Sequence, residues 1–236
     1  MASDAFSEAW YQTFLEPIDP AVTDREAEFV AQFAPPDVFP TLLDIACGPG
    51  RHAAALTSKG YQLTGIDKDE PSIASAIAKR IPNAEFSVCD MREIANLETT
   101  FDVAVNLWHS FGYYDDAQNK SIGAGLLERL RFGGRAIFDI YNRQHFQSWP
   151  REIVGERDGE KIRTVRTWRS NRMRCEIIYE VGAPDILEWY IFEPEEFADW
   201  ARSIGFSVVI VCAQFDENQK ADAEHGRMQF VLEKPE

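Results

Sequence analysis

The chain predicts an α/β domain: a mostly parallel sheet with helices on both faces and an antiparallel β insert after the fifth strand. Three observations lead there. Between Leu42 and Tyr141 short apolar runs alternate with segments of helical periodicity, the pattern of a parallel sheet with crossover helices. From Glu160 to Phe192 that alternation gives way to three extended segments joined by short polar turns, which suits an antiparallel layer. The 236 residues are 45% hydrophobic and 12% aromatic, enough for one sizeable core, and nothing suggests two independent domains.

The elements follow in order. Thr23 with Glu26 has the spacing of a capping box, and Phe29, Val30 and Phe33 follow at helical spacing, so a helical segment fills residues 1–40. Leu42, Leu43 and Ile45 form the first strand. Arg51–Lys59 reads as helix, Gln62–Ile66 as strand, Glu70–Lys79 as helix, Glu85–Val88 as strand and Phe101–Leu107 as a strong strand. Leu126–Leu130 ends a helix before a Phe132-Gly133-Gly134 turn, and Arg135–Tyr141 supplies the fifth strand. The core of residues 41–142 is then followed by the insert, residues 150–192, with Glu160–Trp168, Met173–Val181 and Ile186–Phe192 extended. An added strand set must bury its apolar face, here Val165, Ile177, Ile178, Leu187, Trp189 and Ile191, so the insert covers a pocket or pairs two subunits as a homodimer. Pro194 opens a last helix that Gly205 stops, and two strands, Phe206–Val211 and Met228–Leu232, complete residues 193–236.

A formal net charge of −15 repels phosphate backbones and argues against a nucleic-acid partner. The densest basic run, Arg163, Arg166, Arg169, Arg172 and Arg174, coats a solvated strand face or forms ion pairs; a phosphate-bearing ligand is the alternative. Cys47, Cys89, Cys175 and Cys212 lack paired metal-ligand spacing and read as reduced core thiols, so no metal is expected. The opening MASDAFSEAWYQTF lacks the basic start and apolar run of a secretory signal, and no segment approaches the roughly 20 apolar residues that span a membrane. A cytoplasmic protein is expected.

The stretch LLDIACGPGRHAAAL, residues 42–56, packs a buried strand, a glycine turn and a helix start into fifteen residues. Gly48 and Gly50 permit close ligand approach, and the helix that follows points free N–H groups at the turn. Asp44 lies in the first strand, Asp67 closes the second and Asp90 the third. Each acid alone could cap a helix or turn the chain. Together with the glycine turn they resemble the class I S-adenosylmethionine-dependent methyltransferases, small-molecule type, although Ala46 and Cys47 stand where the family more often has Gly-x. The resemblance is strongest from Leu42 to Asn142. It implies a Rossmann-like seven-stranded sheet, S-adenosyl-L-methionine as cofactor, Asp67 against a ribose diol, Asp90 beside the adenine amino group and Met91 on the base. Cofactor contacts are accordingly expected at Tyr11, Asp44, Ala46, Gly48, Asp67, Lys68, Asp90, Met91 and Asn106. Arg25 and Arg51 are weaker candidates for the methionine carboxylate. Trp10, Tyr11 and Phe14 could add a cation–π face if the N-terminal segment folds over the site.

Gly48 to Ala53 also satisfy G-x-G-x-x-A, the dinucleotide pattern, with Asp67 near the expected acid. A nicotinamide-dependent oxidoreductase, an aminopropyltransferase and a non-catalytic S-adenosylmethionine-binding module are therefore the competing readings. Asn106-Leu107-Trp108-His109-Ser110-Phe111-Gly112-Tyr113-Tyr114 resembles the aromatic SFGY-type stretch of many small-molecule methyltransferases and is expected to face the acceptor. His109 has the acid–base range of a general base, and Tyr113, with Tyr114, Tyr141 and His145, could orient or deprotonate an amine or hydroxyl.

Overall fold

A computed structural model describes residues 7–157 and 159–236; residues 1–6 of the expected N-terminal helical segment, and residue 158, lie outside the described residues. A short helix α1 (Glu8–Trp10) and a π-helical turn (Tyr11–Leu15) precede α2 (Pro20–Phe33). Then come β1 (Thr41–Ile45), α3 (Ala53–Ser58), β2 (Gln62–Asp67), α4 (Glu70–Ala78), β3 (Ala84–Val88), a 3-10 turn (Met91–Asn96), β4 (Phe101–Asn106), α5 (Asp116–Arg129) and β5 (Leu130–Tyr141). After α6 (Arg143–Gln147) the insert contributes β6 (Glu152–Arg157), β7 (Glu160–Arg169), β8 (Arg172–Ile178) and β9 (Asp185–Tyr190). The chain closes with α7 (Pro194–Ile204), β10 (Ser207–Ala213) and β11 (Arg227–Glu233).

The main sheet has the order β10-β11-β5-β4-β1-β2-β3. Its first five strands are parallel, and β11 runs antiparallel to both β5 and β10. One face packs on α5 and α7 through Ile122, Leu126, Phe197 and Trp200; the other packs on α2 and α3 through Ala27, Phe29, Val30 and Leu56. Helices thus cover both faces, as parallel strands buried on both sides require. No helix among the described residues is long and apolar enough to cross a membrane.

Three local expectations change. The first helix begins four residues before a Thr23 cap would put it. Pro20 fixes the first turn, and the Asp19 carboxylate accepts the Ala21 N–H at 2.9 Å, which leaves Thr23 and Glu26 inside the helix and buried. The Phe132-Gly133-Gly134 turn is absorbed into β5 as an irregularity: Phe101 pairs with Leu130 and Val103 with Arg135, so the extra residues bulge out without ending the strand. The insert holds four strands in the order β6-β7-β8-β9, one more than the alternation shows.

The inner face of that second sheet is apolar. Met173, Cys175, Ile177, Leu187, Trp189 and Ile191 are buried there against Trp10, Phe14, Tyr113, Tyr141 and Phe146. Val165 and Ile178, expected on the same face, fall on the opposite one: Val165 lies across from Glu176, and Arg163 across from Ile178. Successive side chains alternate between the faces, so one residue of offset decides the side. At the end of α7 Gly205 adopts a φ of 116°, the left-handed stop expected of it.

Candidate functional site

The carboxyl ends of β1, β2 and β4 open into a cavity of about 480 Å³ that the insert closes from the other side. β1 delivers Asp44 to its floor. The chain then turns through Ala46, at φ 57°, and Gly48, at φ 53°, where a side chain would meet no atom within 4 Å. The left-handed region costs a non-glycine residue about 1–3 kcal/mol, and such backbone is concentrated at ligand sites. The Gly48 N–H donates to one oxygen of Asp67 at 2.8 Å, and the Asp69 N–H donates to the other at 2.9 Å. Asp67 is thereby fixed across the turn with further lone pairs to offer. Burial pushes its carboxyl up, and these amides counter the rise.

Asp44 is more isolated. One carboxylate oxygen is buried without a hydrogen-bond partner, and burial pushes its pKa up to about 7 against the pull of Arg51. A buried carboxylate in that state calls for a cation or a donor from a ligand. Arg51 is itself engaged: it forms a 2.6 Å ion pair with buried Glu26 and donates to the Thr23 hydroxyl at 2.8 Å. Glu26 also bonds the His52 ring at 2.8 Å. Burial opposes the ionised form, but His52, Arg51 and Arg227 together hold the Glu26 carboxyl down to about 2. Glu26 therefore anchors α2 beneath the glycine turn. A Thr-x-x-Glu spacing hid this role, because it reads equally well as a cap.

The N-terminal segment folds over the cavity. Trp10, Tyr11 and Phe14 line it, the Tyr11 hydroxyl lies 2.9 Å from the Ser72 hydroxyl, and Trp10 meets Trp108 edge-on at 5.8 Å. Ser7 ties the segment to the insert: its hydroxyl donates to Asp185 at 2.6 Å.

Of the residues expected to hold the cofactor, Tyr11, Asp44, Ala46, Gly48, Asp67, Lys68 and Met91 line one cavity. Asp90 and Asn106 are not among its lining. Asp90 caps the 3-10 turn, forms a two-bonded ion pair with Arg92, and accepts from the Tyr114 hydroxyl at 3.1 Å. The Asn106 amide donates to the Ile45 carbonyl at 2.9 Å, so it shapes the backbone from which the turn departs.

The loop after β4 also lies in the left-handed region, at Trp108 (φ 70°) and His109 (φ 58°). Asp139, fully buried on β5, holds it there. The Asp139 carboxylate accepts the Trp108 N–H at 2.8 Å, and its carbonyl accepts the His109 N–H at 2.9 Å. Gln229 and Arg227 from β11 bond the same carboxylate. The clamp depends on β11, which returns from the far end of the chain, so residue order around Asp139 does not show it.

His109 and Tyr113 both line the cavity, beside Tyr141 and Trp189. The Tyr141 N–H donates to His109 Nδ1 at 2.9 Å. Nδ1 is therefore the acceptor, and the neutral ring carries its proton on Nε2, which is buried without a protein partner. Burial, with Arg227 adding to it, holds the imidazole well below its usual pKa. Burial likewise pushes Tyr113 well above the usual phenol range and Tyr141 up to about 12. His145 is turned away, its Nδ1 2.8 Å from the Ala223 carbonyl.

A family profile described as a methyltransferase domain matches residues 42–134, the segment that runs from β1 through the glycine turn into β5. Residues 42–134 are a methyltransferase domain, and the activity is S-adenosylmethionine-dependent methyl transfer. A putative methyltransferase of Geobacillus sp. (strain WCH70) is 22% identical over 211 residues, 82% of this chain and 84% of that protein. The dTDP-3-amino-3,4,6-trideoxy-alpha-D-glucopyranose N,N-dimethyltransferase of Streptomyces venezuelae is 28% identical over 149 residues, 61% of this chain and 62% of that one. Among solved structures, an amino pentose methyltransferase from Micromonospora echinaspora with S-adenosylmethionine bound superimposes with a TM-score of 0.74 at 18% identity, covering 99% of this chain and 100% of that one. The dinucleotide reading of the same glycines gives way to that family match. The methyltransferase's cofactor, S-adenosylmethionine, suits what the cavity presents: a lone buried carboxylate oxygen, open space at Gly48 and an acid held across the turn.

Proposed function

We propose that this methyltransferase acts on an amine nitrogen of a small molecule. The observation that carries the reading is that the acceptor end of the cavity holds no base among the described residues. His109 Nδ1 is occupied by the Tyr141 N–H, the Tyr113 and Tyr141 phenols are held protonated, and the cavity's carboxylates, Asp44, Asp67 and Asp69, all stand at the ends of β1 and β2. A neutral amine already offers its lone pair, whereas a hydroxyl needs help to lose its proton. The names of two similar proteins, an N,N-dimethyltransferase and an amino pentose methyltransferase, support the same choice.

S-adenosylmethionine, when bound, supplies a methyl group activated on a sulfonium. Tyr11, Asp44, Ala46, Gly48, Asp67, Lys68 and Met91 hold it, with Asp44 meeting positive charge and Asp67 accepting hydroxyl protons. Asp90 and Asn106 act one step back, by fixing Tyr114 and the end of β1. Tyr113, Tyr141 and Trp189 wall the acceptor and exclude water, so catalysis rests on proximity and orientation. The His109 Nε2–H donates to an oxygen or nitrogen of the acceptor and orients it. Incubation with S-adenosylmethionine labelled in the methyl group and a pool of cell metabolites, read by mass spectrometry, tests the proposal. A product with the label on nitrogen is expected; label on oxygen or carbon overturns it.

A further inference from the structure

Five arginines lie on β7 and β8, and one differs from the rest. Directly opposed residues of an antiparallel ladder share a face, and Arg166 lies opposite Cys175, whose neighbours Met173 and Ile177 on that face line the cavity. Arg163, Arg169, Arg172 and Arg174 have the other parity and stand on the outer face. Two of those four have acids to pair with: Arg163 binds Glu152 at 2.7 Å and Arg172 binds Glu188 at 2.8 Å. Arg166 has no ion pair among the described residues, and its Nη1 is buried without a hydrogen-bond partner.

Two aromatic rings only partly compensate that cation. Its guanidinium carbon lies 4.7 Å from the centre of Trp149 and 6.0 Å from that of Phe146, which attract the cation without accepting its N–H bonds as a carboxylate would. The half-buried guanidinium gives up part of its hydration and gains no carboxylate in return, so it is an incomplete pair. Burial draws its pKa down; the Cys175 thiol and the Tyr141 phenol act against the shift, and no carboxylate does. A second cavity of about 400 Å³ shares Arg166 with Arg151, Trp149 and Trp168, so a second cation stands close by. In a chain of net charge −15, an arginine set among aromatic rings with no carboxylate acting on it is a local exception.

We propose that the acceptor carries an anionic group, a carboxylate or a phosphate, and that Arg166 holds it on the insert side of the cavity. The guanidinium donates two parallel N–H bonds to such a group, which gives direction as well as affinity. The acceptor is then tethered at one end by β7, while its nucleophile lies against the loop that carries His109. The inference rests on reading this part of the cavity as the acceptor site.

The test uses the full chain loaded with S-adenosylhomocysteine and follows binding of β-alanine, phosphoethanolamine and ethanolamine by saturation-transfer NMR. β-Alanine or phosphoethanolamine should bind at least about tenfold more tightly than ethanolamine, and whichever is preferred distinguishes carboxylate from phosphate. Arg166→Gln should erase the preference and Arg166→Lys restore part of it, while both variants melt cooperatively and keep wild-type affinity for S-adenosylhomocysteine. Propionate and methyl phosphate, which have no amine, should show the same loss in Arg166→Gln; the anion site thus stands or falls separately from the choice of nitrogen. An Arg166→Gln protein that binds the anionic probes like wild type, or a wild type that prefers none of them, overturns the proposal.

Discussion

The two walls of the cavity are made differently. The wall at the ends of β1 and β2 is backbone and acid: a turn with three residues at positive φ, Asp67 pinned by two amides, and Asp44 left with a free oxygen. The opposite wall is side chain: Trp189, Tyr113, Tyr141 and Phe146 on the insert and its neighbours, with two cations that have no ion pair among the described residues, Arg157 and Arg166, and no carboxylate among its described lining. Backbone geometry is determined by a few local residues and suits a ligand that does not change. Side chains on an added sheet can be exchanged without disturbing the parallel core, which suits recognition of a variable acceptor. The division predicts that substitutions on one wall leave the other wall's ligand alone.

The largest effect belongs to Trp189→Ala. Its ring contacts His109, Tyr113 and Tyr141 at 5.6–5.8 Å, and emptying such a site costs about 3–5 kcal/mol of folding stability. Thermal unfolding and turnover should both fall, with S-adenosylhomocysteine affinity in calorimetry holding within about threefold. A comparable collapse of cofactor binding would break the division.

Asp67→Ala should do the reverse. Loss of a charge-assisted acceptor weakens S-adenosylhomocysteine by about 1.5–3 kcal/mol, and wild-type affinity would exclude the proposed hydroxyl contact.

Asp44 sharpens the comparison through pH. Its folded pKa, about 7, is above the unfolded value of 3.8, so the unliganded protein binds the proton better and Asp44 adds stability as pH falls from about 7 toward 4. A cationic ligand needs the ionised form. Affinity should therefore rise about tenfold between about pH 6 and pH 8, and Asp44→Asn should flatten the curve. A wild-type curve already flat would remove Asp44 from the cation site.

The smallest change is expected at His109. An orienting donor, replaced by Asn, costs about 1 kcal/mol in kcat, where loss of a general base costs about a hundredfold or more. The pH–rate profile should follow the acceptor amine and show no imidazole step. A hundredfold loss, with such a step removed in His109→Asn, would restore a base to the acceptor wall.

Much of the first wall was legible from residue order. Strand, glycine turn and acid at the next strand end are local patterns, and β1 to β4 lie within a residue or two of where periodicity puts them. The insert was legible as antiparallel strands, yet its facing was misjudged at Val165 and Ile178, because counting apolar residues ignores which parity meets the core. The same parity, applied to the basic run, separates Arg166 from its four neighbours.

By itself, then, the sequence determined the class of sheet, the glycine turn and the acids around it, since each depends on neighbours a few residues away. Only the tertiary structure decided that Glu26 is an anchor, that Asp139 clamps the His109 loop, that the His109 ring is a donor, and that Arg166 has no ion pair among the described residues. Each of those depends on groups far apart in the chain, such as Glu26 with Arg227 or Asp139 with Gln229, and a buried charge takes its role from whatever the fold brings within hydrogen-bond distance.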